Sequence, residues 1–587
     1  MRTRRTCTAI AAAAVIAAGL SVTVGTAGAQ TAQTARPAKV AEPTGATVSY
    51  VVLATDASQV RAARQAATAA GGTVVGQDTA IGTVTVEAPS EGYIAALQGK
   101  AGVAGVAKDR SIGASPGTTP RRDLVEDEAR TNAGSGEGSS RPRPGHRGSP
   151  ANGNGVPAGT DTFEDLQWDM QMIRADVART VNAGNSGVLV GIMDTGIDAS
   201  NPDLAPNFDA GLSRNFTTDL PAIDGPCEVA TCVDPADTDD AGHGTHVAGT
   251  VAAAANGTGI VGVAPKAKLV NIRAGQDSGY FFLAPTLDAL TYSGDVGIDV
   301  VNMSFYVDPW LFNCRSNPAD SVEQQYEQRT IINAMNRALD YAYDRGVTLV
   351  SAMGNGNSDL GKPGVDGTSP DYPAGTNYDR VIDNDDCLVM PSEGNHVFNV
   401  ASVGPSQKKA DYSDYGLERA WVAAPGGWFR DGFGTPTYRT NGNLILSAYP
   451  KHVLQEEGTV DAEGNILPDG EGLVFKDCTA AGDCGYYTYL QGTSMAAPHA
   501  VGVAALAVAE HGKKDKAHGG LTLAPARTAA IVARSATPHA CPTPPLQQYR
   551  QEGRDASYDA LCEGRTSFNG FYGHGIIDAA RTVGARK

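Results

Sequence analysis

Beyond residue 160, short apolar runs recur along the chain, with longer amphipathic stretches between them. Residues 188–193, 267–272, 298–303, 346–353 and 397–403 are dense in Val, Ile, Leu, Met and Ala. They lack the apolar/polar alternation of a half-exposed strand, so they read as strands buried on both faces. Residues 285–292 and 330–343 space their apolar side chains as helices do. Strands alternating with helices predict a doubly wound, mainly parallel α/β sheet. Residues 49–110 follow another pattern. Strand-like 50–54 leads to an alanine-rich helix over 58–70, strands at 72–75 and 82–86, a short helix at 92–97 and a last strand at 103–107. The order βαββαβ predicts a small α+β, ferredoxin-like unit.

The remaining segments look different. Residues 111–160 hold Ser139-Ser140-Arg141-Pro142-Arg143-Pro144-Gly145 and Ala151-Asn152-Gly153-Asn154-Gly155, with almost no apolar side chains. They read as a disordered linker, because they cannot bury enough surface to offset ordering. Residues 1–29 combine Arg2, Arg4 and Arg5, an apolar stretch over 9–20, and Ala27-Gly28-Ala29. That is a signal peptide with its cleavage site, and it implies a secreted, extracellular protein. The pair Arg4-Arg5 leaves the general and twin-arginine export routes both open. No later run approaches the ~18 apolar residues of a membrane span. The expected organisation is thus a signal peptide (1–29), a small α+β unit (49–110), a linker (111–160) and one large domain (161–587).

Charge and cysteine content narrow the class. The first 160 residues carry 16 Lys and Arg against 11 Asp and Glu, and the rest carry 30 against 53. An acidic main domain argues against nucleic acid as partner. No membrane partner is expected, and the chain reads as a monomer. Of nine cysteines, Cys7 lies in the signal peptide. The other eight, an even number in an exported chain, suggest disulfides. Sequence neighbours are the expected pairs, Cys227–Cys232, Cys478–Cys484 and Cys541–Cys562, which leaves Cys314 with Cys387. No C-x2-C spacing points to zinc.

Candidate chemistry centres on Gly492-Thr493-Ser494-Met495-Ala496-Ala497-Pro498-His499. Strand-forming 486–490 precede it and the small-residue run 500–507 follows, so Ser494 falls where an extended segment becomes a helix. Orphan N–H groups and the positive dipole end favour negative charge there. With Ser494 as N-cap, Pro498 would be the fourth helical position, next to the orphan N–H groups of the helix start. A serine hydroxyl needs a base to become a nucleophile. Asp194, in Gly191-Ile192-Met193-Asp194-Thr195-Gly196, ends an apolar run. His243, in Asp240-Ala241-Gly242-His243-Gly244-Thr245-His246, enters a helix.

These three motifs together resemble those of the subtilisin-like serine peptidases, the subtilases, and Asp, His, Ser is that family's order. Further stretches are similar: Gly259 to Pro265, Val350-Ser351-Ala352-Met353-Gly354-Asn355, Asp371-Tyr372-Pro373-Ala374, and Gly573 to Ala579. The likeness covers nearly all of 165–582. It implies a serine endopeptidase acting on polypeptides, with Ser494 as nucleophile, His243 as base and Asp194 orienting the histidine. Asn355 would stabilise the oxyanion. It also implies that 49–110 is an inhibitory, fold-assisting propeptide removed by self-processing. No cofactor is required. Asp203 and Asn256 match positions that bind calcium in some subtilases, and calcium is left unassigned.

Phe305, Tyr306 and Val307 depart from the family pattern, which has small residues there, so specificity stays open. A lone Asp194-Thr195-Gly196 could belong to an aspartic peptidase, but that chemistry needs two such loops. His243 and His246 lack the H-E-x-x-H pattern of a zinc protease. The alternative of another class is an inactive subtilase-fold binding protein, although no member of the set is missing. His246 and His499 read as packing histidines.

Overall fold

The computed structural model describes residues 44–109, 125, 126, 128, 157, 159–373 and 375–585. The signal peptide read at 1–29 and nearly all of the linker lie outside the described residues. Residues 44–108 form strands β1 (Thr44–Ala54), β2 (Thr73–Asp78), β3 (Thr83–Glu91) and β4 (Val103–Lys108) with helices α1 (Val60–Ala69) and α2 (Tyr93–Leu97). The sheet order is β2-β3-β1-β4, antiparallel throughout, which is the ferredoxin-like arrangement. β1 alternates sides: Tyr50 and Val52 pack with α1 and α2, whereas Val51 and Leu53 join the core of the large domain.

The large domain is built on seven strands. In chain order they are β5 (Leu189–Met193), β6 (Arg214–Asn215), β7 (Lys268–Arg273), β8 (Val300–Met303), β9 (Thr348–Ala352), β10 (Phe398–Val403) and β11 (Ala420–Pro425). The sheet runs β11-β10-β9-β8-β5-β7-β6. Every pairing is parallel. Helices α3 (His243–Ala252), α4 (Leu283–Val296), α5 (Val322–Asp344) and α6 (Thr493–His511) cover it. Adjacent strand residues enter different cores. Val300 and Val350 meet side chains of α3 and α6, while Val301 and Leu349 meet those of α4 and α5. Burial on both faces is why these strands carry no alternation. An antiparallel sheet of β12 (Ile445–Tyr449), β13 (Val474–Cys478) and β14 (Cys484–Leu490), ordered β12-β14-β13, delivers the chain to α6.

The four disulfides are Cys227–Cys232, Cys314–Cys387, Cys478–Cys484 and Cys541–Cys562, the pairs expected from sequence. Among the described residues, no helix is long and apolar enough to cross a membrane.

The small unit docks on α5 and on the start of α4. Arg337 Nη1 donates to Ala54 O at 2.8 Å, and its Nη2 donates to Thr55 O at 3.1 Å. Lys108 N–H donates to Glu327 Oε1 at 3.2 Å. Asp109 Oδ1 accepts from Ala284 N–H at 2.6 Å, so the end of the unit places a carboxylate on the N-terminus of α4. Gly105 lies so close to α5 that a Cβ there would sit 2.3 Å from Thr330 Oγ1.

Candidate active site

Parallel strands end on one edge of the sheet, and the candidate residues gather there. Asp194 follows β5, Ser304 follows β8, and Asn355 lies three residues past β9. Asp194 is fully buried. Its Oδ1 accepts from Thr195 N–H at 2.8 Å and faces His243 Nδ1 at 2.7 Å. His243 opens α3, and the glycines on either side explain how that turn fits. Gly242 adopts φ 90°, in the left-handed region, and a Cβ there would meet the Tyr449 ring at 2.4 Å. A Cβ on Gly244 would come within 2.2 Å of Gly196 O, so the first turn of α3 can rest against the Asp194 loop only as glycine. Burial works against a charge on the His243 ring. Asp194 and then Glu126 outweigh it and hold the ring's pKa well above the ordinary histidine range.

Asp239 was not singled out from sequence, yet it ties the two loops together. Its Oδ1 accepts from Thr195 Oγ1 at 2.9 Å, Gly242 N–H at 2.9 Å and Ala241 N–H at 3.2 Å. Its Oδ2 accepts from Thr245 N–H at 2.8 Å and Thr245 Oγ1 at 2.6 Å. This buried carboxylate sits on the N-terminus of α3 and binds the residue after Asp194 to the turn that carries His243.

Ser494 is the second residue of α6, whose N-cap is Gly492, rather than being the cap itself. Pro498 therefore lies inside the helix, against the sequence expectation. The helix accommodates it because Ser494 O, which would have accepted from residue 498, accepts instead from Ser304 Oγ at 3.3 Å. Ser494 Oγ contacts Ser304 O at 3.5 Å. Among the described residues no hydrogen bond joins Ser494 Oγ to His243. His243 Nε2 faces Glu126 Oε2, at 3.5 Å. Asn355 Oδ1 accepts from Thr493 N–H at 2.9 Å and Thr493 Oγ1 at 2.8 Å, which fixes its amide beside the start of α6.

His243, Asn355 and Ser494 thus line one cleft of about 940 Å³, with Asp194 buried behind His243, and Phe305, Tyr306, Met353 and Leu490 also line it. Phe305 stacks on Phe281 with ring centroids 4.1 Å apart, and Tyr306 Oη donates to Asp371 Oδ2 at 2.5 Å. Both rings are held in place, giving the cleft a broad aromatic wall. His246 and His499 lie apart from this chemistry. His246 Nε2 contacts Ile445 O at 3.1 Å, and His499 bridges Met495 O and Asp169 Oδ2.

Val125, Glu126 and Glu128 come from the stretch read as linker; Glu126 lines this cleft, and the other two hold to residues next to it. Gln491 N–H donates to Glu126 O at 3.4 Å, and Gln491 Nε2 donates to Val125 O at 2.8 Å. Glu128 accepts from Gln491 Nε2 at 2.9 Å, Arg430 Nε at 2.6 Å and Arg554 Nη2 at 3.4 Å. The seat is polar and ionic, a kind of ordering that apolar content does not signal.

Two groups of hard oxygen donors suit a cation such as calcium. Asp203 Oδ1 and Asp161 Oδ2 are buried without a hydrogen-bond donor, beside Asn256. Burial, foremost, pushes Asp203 up to about 7. Asp219, Glu228, Asp234 and Asp277 bring carboxylate oxygens within 4.8 Å of one another around Arg273.

Residues 185–575 match the model of the subtilase family. Subtilisin DY of Bacillus licheniformis is 28% identical over 352 residues, 59% of this chain and 86% of that protein. Thermitase of Thermoactinomyces vulgaris is 27% identical over 304 residues, 51% of this chain and 84% of that protein. The epidermin leader peptide processing serine protease of Staphylococcus aureus shares the fold, with TM-score 0.57, 17% identity and coverage of 92% of this chain and 98% of that one. Fervidolysin of Fervidobacterium pennivorans does so with TM-score 0.52 and 21% identity, over 93% of this chain and 62% of that one. Serine, histidine and aspartate at the C-terminal edge of a parallel sheet, within a family match spanning most of the large domain, lead to one conclusion: the chain belongs to the subtilase family and is a serine-type endopeptidase.

Proposed function

We propose that the protein is a secreted endopeptidase, made as a precursor, that cleaves polypeptides with Asp194, His243 and Ser494 and processes itself. In this mechanism Ser494 Oγ attacks the scissile carbonyl carbon as His243 Nε2 takes its proton. The tetrahedral intermediate collapses as the same proton passes to the leaving amine, and water then repeats the sequence on the acyl-enzyme. Asp194 holds Nδ1–H and stabilises the imidazolium. The Asn355 amide, fixed through Oδ1 by Thr493, donates from its nitrogen to the oxyanion together with backbone N–H at Ser494. The observation that carries the reading is the 2.7 Å Asp194–His243 contact in the cleft that holds Ser494.

A latent state fits the same geometry. Glu126 lies where a substrate would approach His243, and the 44–108 unit is docked on α5. A tether makes such docking effectively intramolecular, so a modest affinity keeps the cleft filled. Cleavage between about 110 and 165 would release the inhibitor. Asp161, Asp203 and Asn256 would hold a structural calcium. The acidic surface offers nothing to nucleic acid, and the enzyme acts as a monomer. The test is secretion of the wild type beside Ser494→Ala in a host lacking other extracellular proteases. The wild type should appear near the mass of the large domain and the variant should keep its leader. Equal trimming of both would assign processing to another protease.

A further inference from the structure

Arg430 and Arg554 sit beside the cleft with their guanidinium groups already aimed. Arg430 Nη1 donates to Glu552 O at 3.0 Å, and Arg554 Nε donates to Asp411 Oδ2 at 2.5 Å. Gln491 is fully buried, and its Oε1 accepts from Phe429 N–H at 2.6 Å, which turns Nε2 toward the same place. All three donate to the Glu128 carboxylate, whose side chain is only 8% exposed. Asp411 answers Arg554, and among the described residues Glu128 is the carboxylate within ion-pair reach of Arg430. If Val125, Glu126 and Glu128 leave, the Arg430 guanidinium, 13% exposed with Glu128 in place, loses its counter-charge. A cation that has lost its partner favours an incoming carboxylate over its neutral isostere.

We propose that Arg430, with Arg554 and Gln491, forms a specificity subsite for an acidic side chain of the substrate, which Glu128 fills in the full chain. The proposal rests on reading Val125, Glu126 and Glu128 as following the path a substrate takes past His243. Chain direction places the subsite. Glu126 stands at His243 and Glu128 lies two residues toward the C-terminus. Whether the equivalent substrate bond precedes or follows the residue at His243, the acidic side chain falls on the leaving-group side, two or three residues beyond that bond. Of the two arginines, Arg430 is the one to change, because Arg554 is also held by Asp411.

The experiment uses processed wild-type enzyme and internally quenched peptides of one sequence. A single Glu is moved through the four residues on each side of the cleaved bond, and each peptide has a Gln counterpart. At the second or third residue after the bond, kcat/KM for Glu should exceed that for Gln by about tenfold or more. The ratio should collapse toward one in Arg430→Gln and invert to a Lys preference in Arg430→Glu. Wild-type profiling is decisive even if neither variant is secreted. Equal rates for Glu and Gln at both positions, or an acid preference only before the bond, would overturn the subsite. An enzyme that cleaves no member of the panel would instead contradict the proposed peptidase mechanism.

Discussion

Asp239 makes no contact with the reacting atoms, yet it should be among the most sensitive residues near the site. Asp239→Asn changes no volume and replaces Oδ1 or Oδ2 by an amide NH2. Five donors converge on the carboxylate. If the amide oxygen keeps Thr195, Gly242 and Ala241, the NH2 faces Thr245. The Thr245 hydroxyl can turn and accept from it, but the Thr245 N–H is stranded at the first turn of α3. An unmet buried N–H costs about 1–3 kcal/mol. Loss of the anion from the helix N-terminus adds about 0.3–1 kcal/mol. A total near 3 kcal/mol, if it falls on the placement of His243, lowers kcat by about 100-fold. KM should change little, because Asp239 does not line the cleft. Thr195→Val removes one of the five donors and also strands the Gly244 N–H, which donates to Thr195 Oγ1 at 3.0 Å, so it should cost about 1–3 kcal/mol. The double variant should fall short of the sum, since the two share a hydrogen bond. Steady-state kinetics on a single peptide, with thermal unfolding as the stability check, reads both parameters. An Asp239→Asn enzyme within twofold of wild-type kcat would refute the view that this carboxylate holds the two loops in register.

Other perturbations test separate parts of the account. Asn355→Ala should lower kcat by about 100- to 1000-fold with little change in KM, the usual cost of one oxyanion donor. Asn355→Asp keeps the acceptor for Thr493 and should be no better, and a defect confined to KM would argue against the oxyanion role. In full-length Ser494→Ala protein, Glu126→Gln should lower the His243 pKa seen by NMR titration, because it removes one of the two anions that raise it. An unchanged titration would contradict the Glu126–His243 contact. Burial, more than the Glu323 charge, pushes Glu327 up to about 7 at the docking face, against opposition from Lys108. The docked state therefore holds a proton that the undocked state releases. Docking should be tight in mild acid and weaken as pH rises through about 7. Hydrogen exchange of β4 in Ser494→Ala protein between pH 5.5 and 8.5 follows this, and a flat profile would exclude Glu327 as the cause.

Much of the architecture could be read directly from residue order. The strands of the parallel sheet stand out because burial on both faces favours apolar-rich runs without alternation, as in Val300–Met303 and Thr348–Ala352, whose few polar residues are buried too. The candidate site was legible for a similar reason, since Gly242 and Gly244 are required by backbone contacts that any side chain would break. What escaped notice depends on partners far away in sequence. Asp239 has no periodic signature, and its role comes from Thr195, a donor 44 residues upstream. Asp109 is an ordinary acid until Ala284, 175 residues later, presents its N–H. Glu126 and Glu128 belong to a polar stretch that reads as linker by composition, and only the positions of His243, Arg430 and Gln491 make a seat for them. Pro498 lies deeper in the helix than its motif suggests, because nothing local reveals that Gly492 is the N-cap or that Ser304 Oγ takes over the bond to Ser494 O.

Covalent labelling probes the role of Ser494 as nucleophile at the reacting atom itself. A fluorophosphonate probe added to processed enzyme should modify one residue, identified as Ser494 by peptide mass spectrometry. Labelling and peptide hydrolysis should be lost together, and both should be absent in Ser494→Ala. Modification of a different serine, or hydrolysis that survives Ser494→Ala, would contradict the account.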